Sequence, residues 1–132
     1  MLIKGANRHE MDPDGGYVVS EERMIEVRTC HYPDDARWYA LCDRYGLYLV
    51  AEANLESHGM GYGEKTLAKN PAYAQAHLER NIRNVRRNIN HPSVIVWSLG
   101  NEAGDGPNFD ACYDWIKAYD PSRPVHYERA VY

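Results

Sequence analysis

The apolar run from Val94 to Gly100 constrains the fold of this chain more than any other segment. A strand that is buried on both faces has a continuous apolar sequence, whereas a half-exposed strand alternates polar and apolar residues. Asn101 and Glu102 follow the run directly, and a loop of small residues comes next. In α/β barrels, catalytic side chains lie at the carboxyl ends of such strands. The run therefore predicts a buried parallel strand that ends at a candidate catalytic carboxylate, although a lone Glu at this point is more often a solvated loop residue.

Strand-like and helix-like segments alternate along the chain, which predicts an α/β fold with a parallel sheet. Predicted strands cover residues 2–6, 27–30, 47–50, 94–99 and 124–127, and predicted helices cover 34–46, 70–91 and 109–119. The second helix has an apolar stripe at helical spacing, formed by Leu78, Ile82, Val85 and Ile89. A doubly wound sheet would more often have a glycine-rich phosphate turn after its first strand, and none is present. A barrel-type arrangement is therefore favoured.

Polar side chains recur at the carboxyl ends of the predicted strands. The residues at these five ends are His9 and Glu10, His31, Glu56 and His58, Asn101 and Glu102, and Glu128. One such group would be chance, but five successive groups predict an edge of the sheet that carries functional side chains.

Carboxylates at neighbouring strand ends are typical of glycoside hydrolysis, in which one acts as acid/base and another as nucleophile or base. Glu56, His58 and Glu102 also suit a divalent metal ion, although a structural hydrogen-bond network would use the same residues. His9 and His31 suit donation to sugar hydroxyls or a structural role about equally. Arg28 is better suited to orienting neighbouring carboxylates than to reacting.

Composition excludes several classes of partner. The net charge of −4 and the lack of a basic block argue against nucleic acid and anionic membranes. No apolar run approaches the length of about 18 residues that a transmembrane helix needs. The first residues lack a signal-peptide pattern, and the cysteines are three and widely spaced, so we expect reduced thiols and a cytoplasmic location.

Several segments resemble glycoside hydrolase family 2, and its β-galactosidases in particular. The segment from Asn90 to Glu102 is similar to the acid/base signature of that family. The other similar segments, in the order of the family, are 5–10, 29–33, 42–48, 52–59, 115–117 and 120–125. The resemblance covers nearly the whole chain.

The resemblance implies a central (β/α)8 TIM barrel. It implies that Glu102 is the general acid/base at the end of the fourth strand and that Asn101 holds the sugar 2-hydroxyl. His9 and His31 would contact the galactosyl ring. Glu56, His58 and Glu102 match the positions that bind magnesium in the family. The implied reaction is retaining hydrolysis of terminal β-galactosides such as lactose.

The chain departs from the family in two respects. A complete barrel needs roughly 250 residues, so we expect residues 1–132 to form a single partial catalytic domain with about the first five strands. No residue matches the nucleophilic Glu that the family has at the end of its seventh strand. About a dozen residues are also missing between Glu26 and Val27, which shortens the first crossover. The remainder of the barrel, or another copy of the chain, would have to cover the open strand edges.

Three hypotheses about function remain open at this point. The chain is either part of a working glycosidase or a truncated or engineered barrel piece that folds or associates without catalysis. A related family-2 activity, such as that of a β-glucuronidase, is the third hypothesis.

Overall fold

The computed structural model describes residues 26–128. The predicted first strand at residues 2–6, together with His9 and Glu10, lies outside the described residues, as do residues 129–132. The shortened first crossover lies there too and stays a prediction.

Strands and helices alternate through the described part of the chain. The strands are β1 (Glu26–Arg28), β2 (Tyr48–Glu52), β3 (Val94–Asn101) and β4 (Val125–Glu128), and the helices are α1 (Ala36–Tyr45), α2 (Ala74–Asn88) and α3 (Pro107–Tyr119). Four short 3-10 turns cover much of the connection between β2 and α2. The predicted α/β alternation is confirmed.

The four strands form one parallel sheet in the order β1-β2-β3-β4. Each strand therefore pairs with its neighbour in sequence through a helical crossover, as in the successive units of a barrel. The sheet does not close within residues 26–128, so β1 and β4 each have one strand neighbour there. All four carboxyl ends lie at the same edge, which places the polar residues that follow the strands close together.

The helix boundaries follow from local sequence signals. Asp35 caps α1 by accepting from the backbone N–H of Arg37 at 2.9 Å, and Gly46 ends the helix in the left-handed conformation that glycine adopts without a steric penalty. α3 begins at Pro107, where the missing N–H costs no helical hydrogen bond.

The buried face of α2 differs from the predicted apolar stripe. Of Leu78, Ile82, Val85 and Ile89, only Val85 is fully buried. The other buried residues of this helix are polar, namely His77, Asn81, Asn84 and Asn88. The amides of the three asparagines reach the sheet or each other, because a helix packed against strand carbonyls can bury side chains that donate to them.

The hydrophobic core lies between the helices and one face of the sheet. It includes Trp97 and Leu99 from β3, Leu49 from β2, and Phe109 and Ile116 from α3. Cys42 and Cys112 are free thiols buried in this core, and burial raises the pKa of the Cys112 thiol to about 12. No helix among residues 26–128 is long and apolar enough to cross a membrane.

Asp120 and Arg123 connect the sheet and helices at the edge opposite to the site. Asp120 accepts from the Trp97 indole at 2.8 Å and from Arg123 at 2.8 Å, and it also accepts from Ser122. Arg123 in turn donates to the carbonyl of Val94 at 2.7 Å. Burial alone would raise the pKa of Asp120, but these donors outweigh it and hold the pKa well below its usual range.

Candidate active site

Arg28 joins three strand ends at the carboxyl edge of the sheet. It ends β1, is 5% exposed, and forms an ion pair with the fully buried Glu52 at the end of β2. Its Nη2 donates to Oδ1 of Asn101 at 2.8 Å, and its Nη1 lies 3.6 Å from Glu128 at the end of β4. The predicted orienting role of Arg28 agrees with this geometry.

Asn101 is held from two sides. Its Oδ1 accepts from Arg28, and its Nδ2 donates to Glu56 Oε1 at 3.0 Å. A side-chain amide has two N–H donors and one carbonyl oxygen. This arrangement leaves one Nδ2 hydrogen in a fixed direction, which suits donation to a sugar hydroxyl.

Gly100 brings the segment after β2 against the end of β3. A Cβ at this position would overlap the backbone carbonyl of Leu55. Because Gly100 has none, the Asn101 N–H donates to the Leu55 carbonyl at 2.8 Å, and Glu56 forms an isolated parallel bridge with Asn101. Glu56 is therefore placed beside Asn101 by backbone contact, outside β2 itself.

Glu56, His58 and Glu102 lie together, as the sequence predicts. One ligand atom from each lies within 4.8 Å of the others, with Glu56 and His58 exposed and Glu102 half-buried. The sequence spacing of Glu56 and His58, two residues apart, would put both on one strand face, but His58 opens a 3-10 turn after Glu56 instead. Two carboxylates and an imidazole are ligands that divalent cations accept, and octahedral ligands of Mg²⁺ are about 3–4 Å apart. The set could therefore hold a divalent cation after small side-chain movements, and the choice of magnesium stays a prediction.

His31 follows β1 and lies against the same carboxylates. Its Nδ1 is 3.4 Å from Glu52 Oε1 and 3.8 Å from Glu56 Oε1. The Nδ1 atom of His31 and the Oε1 atom of Glu52 are both buried without a hydrogen-bond partner in the structure. His31 is thus brought to the site, whereas its contact with a sugar stays a prediction, as does that of His9.

The backbone of Glu102 has a left-handed conformation, with φ of 46°. A non-glycine residue rarely adopts this conformation, and it persists only where the surroundings enforce it. The Glu102 N–H donates to the Glu128 carbonyl at 3.2 Å. The candidate acid/base is therefore at a defined turn directly after β3.

Sequence reasoning missed Glu52, which is the fully buried partner of Arg28. It lies two residues after the predicted strand 47–50, and its apolar neighbours, Ala51 and Ala53, are the signal that could have identified a buried carboxylate. An ionised carboxylate at such a position needs a cationic partner, and Arg28 is that partner.

Comparison with known proteins agrees with this geometry. The family model for glycosyl hydrolases family 2, TIM barrel domain, matches residues 1–132. The chain belongs to glycosyl hydrolase family 2. The parallel sheet with catalytic-type residues at its carboxyl edge is accordingly part of that family's barrel.

Curated relatives in this family are named β-galactosidases. That of Lactococcus lactis is 52% identical over 97% of this chain and 14% of its own length. That of Alteromonas mediterranea is 49% identical over 97% of this chain and 13% of its own length. The chain thus spans about a seventh of the length of these relatives.

Solved structures with a similar fold are named β-glucuronidases. That of an uncultured Clostridium species has a TM-score of 0.64 at 22% identity and covers 77% of this chain and 19% of its own. That of Ruminococcus gnavus has a TM-score of 0.63 at 28% identity over 76% of this chain and 18% of its own. The Clostridium match shows the fold alone.

The alignment with the Lactococcus lactis relative also contains a gap. It extends over 140 positions, whereas 97% of the 132 residues is about 128. About twelve positions of this alignment therefore have no counterpart in the chain, and the deletion before Val27 stays a prediction.

Proposed function

We propose that this chain forms part of the catalytic barrel of a retaining β-galactosidase and carries the acid/base half of its active site. The observation that supports this most directly is the arrangement of Asn101 and Glu102 at the end of β3, beside Glu56 and Arg28. The names of relatives that are about 50% identical support the choice of sugar.

In this proposal Glu102 acts twice. It first protonates the oxygen of the leaving group and then removes a proton from the water that releases the sugar. The nucleophilic carboxylate comes from a part of the barrel beyond this chain, at about 5–5.5 Å from the acid/base in retaining enzymes. Asn101 donates its remaining Nδ2 hydrogen to the sugar 2-hydroxyl, while His9 and His31 contact the galactosyl ring.

Glu56, His58 and Glu102 would hold a magnesium ion. Carboxylates this close together repel each other unless a cation or a proton lies between them. When bound, the ion supplies a fixed positive charge that keeps Glu56 and Glu102 in place.

A hybrid enzyme tests the role of Glu102. In this hybrid, residues 27–128 replace the corresponding part of the Lactococcus lactis relative, a range that begins after the predicted gap between Glu26 and Val27. We expect turnover of lactose, and a loss of 100-fold or more in Glu102→Gln, because a positioned acid contributes about 10²–10⁴-fold. Glu64→Gln, which changes an exposed carboxylate paired with Lys69, is the matched control. Undiminished turnover in Glu102→Gln would contradict the proposal.

The alternative of a non-catalytic barrel piece is separated by comparison with the isolated chain. We expect the 132 residues alone to give no turnover of nitrophenyl β-galactoside, because the nucleophile is missing. Light scattering should also show association, since β1 and β4 each have one strand neighbour within the described residues. An inactive hybrid with intact folding would favour the non-catalytic alternative.

β-Glucuronidase activity is the second candidate, because the solved structures of similar fold carry that name. The identities of 22% and 28% are far below the 52% of the Lactococcus lactis β-galactosidase. We therefore favour galactosides, and a hybrid that prefers the nitrophenyl glucuronide would reverse this choice.

A further inference from the structure

The loop that follows Glu102 is held by two hydroxyl groups from distant parts of the chain. Thr66 lies in the connection between β2 and α2, and Tyr127 lies in β4. Both contact the peptide units directly after Glu102. Neither residue belongs to the strand-end group that the proposed reaction uses.

Tyr127 binds two peptide units of this loop, Glu102–Ala103 and Gly104–Asp105. Its hydroxyl accepts from the Ala103 N–H at 3.1 Å and donates to the Gly104 carbonyl. The Tyr127 ring stacks on Phe109, with centroids 4.2 Å apart, and Phe109 is 2% exposed in the core. Burial raises the pKa of Tyr127, so its hydroxyl stays protonated at neutral pH and can make both hydrogen bonds.

Thr66 binds the carbonyl group of Ala103. Its Oγ1 donates to the Ala103 carbonyl at 2.7 Å and accepts from the Ala68 N–H at 3.3 Å. Thr66 is 1% exposed, and a Cβ on Gly104 would overlap its side chain. The glycine therefore permits the close approach on which the Thr66 hydrogen bond depends.

These contacts enforce the conformation of the acid/base residue. The Glu102 N–H is bound by Glu128, and both polar groups of Ala103 are bound by Thr66 and Tyr127. A left-handed φ at a glutamate needs such constraints on both sides. We infer that Thr66 and Tyr127 are positioning residues that set where the Glu102 carboxylate lies in the site.

The inference rests on the proposed acid/base role of Glu102, and its test separates the two. Tyr127→Phe keeps the stacked ring and removes the hydroxyl, and Thr66→Val removes the other hydroxyl at nearly constant volume. Thr66→Ser keeps a hydroxyl and is the conservative variant. Asp43→Asn, which weakens hydrogen bonds to Ser93 and His91 before β3, is the control for a purely structural loss.

The measurement is kcat/KM of the hybrid for lactose, whose leaving group needs a proton, and for dinitrophenyl galactoside, whose leaving group does not. We expect Tyr127→Phe and Thr66→Val to lower the value for lactose about tenfold and that for the activated substrate less than threefold, because misplaced catalytic groups lose rate steeply. Thr66→Ser should retain most of the lactose activity. Asp43→Asn should leave the ratio of the two kcat/KM values, lactose to dinitrophenyl galactoside, unchanged.

Glu102→Gln provides the reference in the same assay. Suppose that Glu102→Gln lowers kcat/KM for lactose selectively, whereas Tyr127→Phe and Thr66→Val lower kcat/KM equally for both substrates. The positioning role is then wrong and the proposed function stands. If Glu102→Gln itself lowers kcat/KM equally for both substrates, the acid role is wrong and the inference about Thr66 and Tyr127 is wrong with it.

Discussion

Arg28 at the end of β1 donates from Nη2 to Oδ1 of Asn101 at 2.8 Å, although the two residues are 73 positions apart in the sequence. This hydrogen bond orients the Asn101 amide at the end of β3. The same guanidinium pairs with the fully buried Glu52. One cation therefore stabilises a buried carboxylate and orients a candidate substrate-binding residue.

Replacing Arg28 should be costly because it leaves Glu52 buried without a partner. We expect Arg28→Met to destabilise the chain by about 3–5 kcal/mol, the range for breaking a buried ion pair. The double variant Arg28→Met/Glu52→Gln should recover much of this loss, because no charge then remains buried. Thermal unfolding of the hybrid and its variants, followed by circular dichroism, measures both. Equal loss in the single and double variants would show that the pair is not the cause.

The lowered pKa of Asp120 predicts how the stability of the fold depends on pH. Its folded-state pKa is depressed, so its contribution to stability is fully present above the unfolded pKa, near 4, and is lost as the pH falls toward the folded value. Asp120→Asn should therefore lower the unfolding temperature at pH 6 by roughly 10 °C and by less at pH 3, where part of the contribution is lost because the unfolded carboxyl is protonated. Denaturation scans of both proteins at the two values test this. A difference that stays constant with pH would argue against the ionised carboxylate as the source.

Many features of the fold could be predicted from sequence because they depend on local signals. Pro107 and the spacing of Phe109 and Ile116 indicate α3, and the apolar run before Asn101 indicates β3. The burial of Asn81 and Asn84 could not be predicted in this way. Both are polar residues whose partners are strand carbonyls, and those partners become apparent only when the helix is docked on the sheet.

The site residues at strand ends could be predicted from the sequence, whereas a contact made by a distant loop could not. Strand-end position identifies Glu102 and Asn101, and the sequence also suggests the grouping of Glu56 and His58 with Glu102, which the structure brings within 4.8 Å. The contact between Thr66 and Ala103 depends on how the 3-10 turns after β2 fold back, and no periodicity encodes that.

The proposed magnesium site predicts a stabilising effect of the metal. A ligand that binds only the folded state stabilises it by RT ln(1 + [L]/Kd). We expect Mg²⁺ at about 100 times its Kd to add about 2.7 kcal/mol to the hybrid, seen as a higher unfolding temperature that EDTA reverses. Glu56→Gln and His58→Ala should remove the effect, whereas Glu64→Gln should keep it. An Mg²⁺ response that persists in Glu56→Gln would place the metal elsewhere.

The central claim is that Glu102 donates the proton to the leaving group. Its most direct test is kcat/KM of the hybrid and of its Glu102→Gln variant over aryl β-galactosides of increasing leaving-group pKa, with lactose at the upper end. The account predicts that the variant loses 100-fold or more for the poorest leaving groups and little for the best, because only poor leaving groups need the proton. A loss that is the same for every leaving group would contradict it.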